Sequence, residues 1–138
     1  MALTSAFTSF NLPVKNVAQS KAFFTGLGFG LNPQFPENED SAAIVIGDNL
    51  QVMLIHQAFF NTLTEKETVD TSKYAQMTIA LALESREKVD EIVNTAISLG
   101  GKLHAEPEYH GFMYHWGFVD LDGHLWAINC MNMDTAQG

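Results

Sequence analysis

Five histidines are the chain's readiest proton carriers and nitrogen ligands: His56, His104, His110, His115 and His124. An imidazole titrates near neutrality, so each can serve as a general acid or base, and several converging on one point can hold a metal ion. His110 and His115 lie closest together, in "HGFMYHWGF". On one continuous strand, residues five apart face opposite sides, which predicts that this pair does not chelate. A glycine-containing loop at 110–112 could bend that geometry. His56 closes the run "LQVMLIH", and His124 beside Gly123 is expected at the surface. His56, His115 and the hydroxyl of Tyr114 are therefore the candidates for proton transfer. Against them stands the blander expectation of hydrogen-bonded histidines at strand ends.

Other chemistries lack their residues. There is no G-x-S-x-G nucleophile turn and no phosphate-cradling glycine loop. The single cysteine, Cys130 in "WAINCM", reads as a buried small hydrophobe. One cysteine excludes an intramolecular disulfide and favours a reducing compartment, so a cytoplasmic protein is expected. In "EYHGFMYHWGF" the aromatic alternation fits a strand with one buried face. It also fits a surface stacking a planar ligand, with Tyr109 and Tyr114 as polar contacts.

Composition narrows the partners. The chain has 138 residues, 46% of them hydrophobic and 17% charged, which suits one globular domain. Seven Lys and Arg stand against sixteen Asp and Glu, a net charge of −9. No basic patch exists to neutralise phosphates, so neither nucleic acid nor an anionic membrane is an expected partner. The start "MALTSAFTSF" lacks the pattern of a signal peptide, and no run has the length of a membrane span.

The elements that must position these side chains repeat. "SFNLPVKNVAQSKAFFTGLGFGL" and "MTIALALESREKVDEIVNTAISLGGKL" share one plan: strand pattern, cap at Asn16 or Ser85, helix, glycines. The two lie half a chain apart, which suggests a duplicated unit. Val89, Ile92, Val93, Ala96 and Ile97 form one apolar helical stripe; Phe23, Phe24 and Leu27 are its counterpart in the first helix. After each helix come strand-like runs broken by turns at Gly47-Asp48-Asn49 and Asp122-Gly123. The expected fold is α+β: two βαβββ modules at 5–57 and 76–133, joined by a segment at 58–75. Phe59 and Phe60 argue for a short helix at that junction rather than a solvated linker.

Two such modules, the "GLGF" closing the first helix and the "DLDGHLW" hairpin resemble the vicinal oxygen chelate superfamily: glyoxalase I, extradiol dioxygenases, fosfomycin resistance proteins and bleomycin resistance proteins. The second half is most similar to bacterial predicted lactoylglutathione lyases. The resemblance implies a curled mixed sheet around a cavity between the modules, helices on the outer faces, and a homodimer. It also implies four inward positions for metal ligands, which here are Ser9, Met53, Thr78 and Ala127. Strand parity gives the register an independent check: Phe10, Leu12, Val14, Val52, Leu54, Ile79, Leu81, Leu83, Trp126, Ile128 and Cys130 are all apolar, as a helix-covered face requires. The opposite face reads Ser9, Asn11, Met53, Ile55, Thr78, Ala80, Ala82, Ala127 and Asn129, the side chains expected to line a ligand cavity.

Hydroxyl, thioether and methyl groups do not make a site for Zn, Ni, Mn or Fe(II). The expectation is a small-organic-ligand binder, for a metabolite or an antibiotic, with no cofactor and no divalent metal. The alternative is a lactoylglutathione lyase-like lyase or isomerase using a non-standard metal or a His/Tyr acid–base site. A cavity filled by its own side chains, serving interaction alone, is a third possibility.

Overall fold

The computed structural model describes residues 2–36 and 38–131. The chain divides between Val69 and Asp70 into two compact units.

In the first unit, strand β1 (Thr8–Val14) leads into helix α1 (Val17–Gly26), then β2 (Gly30–Leu31), β3 (Ser41–Gly47), β4 (Leu50–His56) and the short helix α2 (Gln57–Phe60). Asn16 starts α1 by accepting a hydrogen bond on Oδ1 from the Gln19 N–H at 2.9 Å. Beyond the helix the chain turns through Gly28 at φ +112°, a value L side chains rarely adopt. The sheet order is β1-β4-β3-β2. The α1 crossover makes β1 and β4 parallel, and the other pairs are antiparallel. Val17, Phe23 and Phe24 of α1 are buried with Leu12, Val14, Ala42, Ile44, Val52 and Leu54. Burial of a phenylalanine such as Phe24 contributes about 1.5–3 kcal/mol.

The second unit runs β5 (Thr78–Ala82), α3 (Arg86–Ser98), β6 (Lys102–Leu103), β7 (Glu108–His110), β8 (Met113–Val119) and β9 (Leu125–Met131). Its sheet order is β5-β9-β8-β6, with β7 also paired to β8. This unit therefore has one strand more than the repeated βαβββ plan, because the chain before β8 pairs back on it as a hairpin through Gly111 at φ +65°. Ser85 caps α3 by accepting from the Lys88 N–H at 3.2 Å. Val89, Ile92, Val93 and Ala96 are buried along its inner stripe. The helix packs on β8 and β9, where Phe118, Trp126, Ile128 and Cys130 are buried and the Phe118 and Trp126 rings stack at 6.0 Å.

The β8–β9 turn is built on one carboxylate. Asp120 is buried; its Oδ1 accepts from the N–H groups of Asp122 at 2.9 Å and His124 at 3.0 Å, and Oδ2 accepts from the Trp126 indole at 3.0 Å. Burial pushes its carboxyl above the ordinary value, opposed by His124 and these hydrogen bonds.

Candidate functional site

Each sheet has one face packed by its long helix, α1 or α3, and an opposite face that this long helix does not cover, the helix-free face. In the first unit Ser9, Asn11, Met53 and Ile55 share the helix-free face. The register sets Asn11 beside Met53 and Ser9 beside Gln51. Ser9 and Met53 are thus offset by one strand repeat rather than directly opposed. Gln51, a residue the sequence reading passed over, is fully buried and organises this face. Its Oε1 accepts from Asn32 Nδ2 at 2.8 Å and its Nε2 donates to Ser9 Oγ at 3.4 Å, while Ser9 Oγ donates to Asn11 Oδ1 at 3.2 Å. A neutral hydrogen-bonded chain therefore links β1 and β4 to the residue that follows β2. It can recognise polar ligand atoms, but it holds no charge and no strong metal donor.

In the second unit Thr78, Ala80, Ala127 and Asn129 share the helix-free face: Ala80 pairs with Ala127, and Ala127 with Gly117. A side chain at Gly117 would collide with the Trp126 carbonyl oxygen, so the strands approach too closely there for anything but glycine. His115 is opposite Asn129, and its Nδ1 is hydrogen-bonded to Asn129 Oδ1.

The hairpin corrects the expectation for His110 and His115. The turn at Gly111 pairs His110 with Met113 and Glu108 with His115, which puts both imidazoles on one face with their rings 6.1 Å apart. His110 Nε2 lies 2.9 Å from Glu108 Oε2. A strand-continuous count of five residues missed this cluster, although the "HG" at 110–111 carried the turn signal.

Tyr109 and Tyr114 are placed on the other face, a second correction. Tyr114 pairs with Cys130 and packs under α3. Its hydroxyl donates to Asp90 Oδ1 at 2.5 Å, and the Arg86 guanidinium lies over the Tyr114 and Tyr109 rings at 4.8 and 5.3 Å. Burial first, then the Asp90 bond, pushes the Tyr114 hydroxyl up to about 12. Such a phenol neither gains nor loses a proton near neutrality; it ties the hairpin to α3. The aromatic pattern was read correctly as alternating, but its parity follows Trp126 and Cys130 rather than Ala127.

His56 ends β4, where its Nδ1 accepts from the Ala58 N–H at 3.3 Å and caps α2. It lines a cavity of about 600 Å³ with Lys15, Asn16, Lys21, Asn38 and Glu39, away from the helix-free face.

The metal positions that the resemblance implies fail a donor test. Ser9, Met53, Thr78 and Ala127 supply two hydroxyls, a thioether and a methyl, none of which suits a hard or borderline divalent ion. Among the described residues, no group of three His, Cys, Asp or Glu side chains is placed to hold a metal.

The family model described as Glyoxalase/Bleomycin resistance protein/Dioxygenase superfamily matches residues 6–128. Among solved structures, a hypothetical protein from S. aureus is 28% identical and has a TM-score of 0.78, over 94% of this chain and 95% of that one. A glyoxalase/bleomycin resistance protein/dioxygenase family enzyme from Burkholderia phytofirmans is 15% identical, with a TM-score of 0.72 over 89% of this chain and 96% of that one. A genomically encoded fosfomycin resistance protein from Listeria monocytogenes is 18% identical, with a TM-score of 0.66 over 97% and 99% of the two chains. The latter two identities speak for the fold alone. Comparison with curated proteins finds no match.

Proposed function

The chain belongs to the Glyoxalase/Bleomycin resistance protein/Dioxygenase superfamily, and on that premise we propose that it binds a small organic molecule, a metabolite or an antibiotic, without a metal at the superfamily's ligand positions. The observation that carries this reading is the lining of the two helix-free faces. At the four ligand positions that the resemblance implies stand Ser9, Met53, Thr78 and Ala127, where a Lewis-acid centre needs carboxylates and imidazoles, with Asn11, Gln51, Ala80 and Asn129 beside them. Such faces suit sequestration, sensing or carriage. A cytoplasmic homodimer is part of the proposal. Among the described residues no helix is long and apolar enough to cross a membrane.

The test is a thermal-shift screen of metabolites and antibiotics, run in EDTA and again with divalent metals, because a ligand of the folded state raises its stability. A hit whose shift is equal in both conditions supports the proposal. Hits that appear only with metal count against it.

A second reading, a lactoylglutathione lyase-like lyase or isomerase, is favoured by His115. Its imidazole is oriented by Asn129 on the helix-free face, as a general base requires. Glyoxalase turnover abolished by His115→Ala would establish it, and the absence of turnover would remove it.

A further inference from the structure

We infer that the helix-free face of the second unit carries a subsite for a planar cationic N–H donor, an amidinium or guanidinium group, received by Glu108 and His115. This rests on the small-molecule reading above and names the ligand chemistry. With the amide oxygen of Asn129 turned toward His115, the imidazole donates to it from Nδ1. In that tautomer Nε2 is the ring's acceptor.

Glu108 is the direct cross-strand partner of His115 and shares its face. One carboxylate oxygen meets His110 Nε2 at 2.9 Å, and the other can accept from a ligand. Two acceptors are thus carried by paired residues of one face, and a group that answers both must donate from two nitrogens. Amidinium and guanidinium groups do so in one plane. On one side of His115 the face is low, because Gly117 follows it along β8 and pairs with Ala127. The net charge of −9 attracts a cation over a longer range.

One carboxylate and two imidazoles are also a metal-ligand set. Their arrangement speaks against chelation, since Glu108 pairs with His110 while His115 pairs with Asn129, and the three do not surround a common point.

The probes are benzamidine and its neutral isostere benzamide, titrated by calorimetry and by NMR of the full chain. The expected result is binding of benzamidine at least about tenfold tighter than benzamide, the factor that one charge-assisted hydrogen bond supplies. Shifts should centre on His115 and Ala127, and the preference should disappear in Glu108→Gln and in His115→Phe, each checked for an unchanged melting temperature. Imidazole ¹⁵N shifts should show the Nδ1–H tautomer at His115. Equal affinities, a preference that survives in both variants, or the Nε2–H tautomer would each overturn the inference. So would one equivalent of zinc that blocks benzamidine and is lost in the same variants. If the screen yields neutral ligands on these faces and benzamidine does not bind, the subsite falls while the small-molecule reading stands.

Discussion

Replacing Asp120 with Asn removes one charge and reverses one hydrogen bond. In the native turn one carboxylate oxygen serves two backbone N–H groups and the other serves the Trp126 indole. An asparagine oxygen can keep the backbone pair, but its NH2 then faces the indole N–H, donor against donor. Trp126 is 2% exposed, so water cannot supply the missing acceptor. A buried unsatisfied donor costs about 1–3 kcal/mol. Removing a carboxylate that burial already disfavours offsets part of this. The expected net loss of about 1–2 kcal/mol lowers the melting temperature of a domain this size by about 3–10 °C.

The assay is urea unfolding of Asp120→Asn in the native background and in Trp126→Phe, where the donor is gone. A coupling of about 1 kcal/mol or more is expected. An equal cost in both backgrounds would refute it. The pH dependence has a defined sign. A carboxyl raised in the folded state contributes stability that is present at low pH and lost as pH rises through the folded value. The gap between wild type and variant should therefore widen on acidification toward the ordinary carboxylate range.

Tyr114→Phe should cost about 1–2 kcal/mol through the lost Asp90 bond. With the hydroxyl at about 12 when folded and ordinarily near 10, the folded state holds a proton that the unfolded chain has released between those values. Wild-type stability should thus fall as pH rises across that window, and less so in the variant, as alkaline unfolding would show. Gly117→Ala should lose about 1–3 kcal/mol in thermal melts, since the new methyl meets the Trp126 carbonyl. Gln51→Leu should keep stability within about 1 kcal/mol while weakening any ligand that the screen places on the first unit's face; unchanged affinity would remove Gln51 from the site.

The parts of the fold governed by local rules were legible in the sequence. Asn16 and Ser85 cap the helices as expected, and the stripe Val89, Ile92, Val93 and Ala96 is buried. Strand parity correctly separated Val52, Leu54, Ile79, Trp126, Ile128 and Cys130 from the opposite face. It failed at the cover's edge, where Phe10 remains 38% exposed. The site was less legible because it depends on pairing between strands. Gln51 looked like one polar residue entering an apolar run, and its partners Asn32 and Ser9 are distant in sequence. The Glu108, His110 and His115 group exists only because the chain reverses at Gly111. Tyr109 and Tyr114 were attractive as ligand contacts by residue type, but cross-strand register decided their face, and that face belongs to α3.

The central claim is ligand binding that does not use a metal at Ser9, Met53, Thr78 and Ala127. The most direct measurement is calorimetric titration of a ligand from the screen into protein purified without chelators, repeated after EDTA, with metal content determined on the same samples. Less than stoichiometric metal and the same dissociation constant before and after EDTA are expected. Stoichiometric zinc, nickel or iron, with binding lost on chelation and restored by the metal, would contradict the claim.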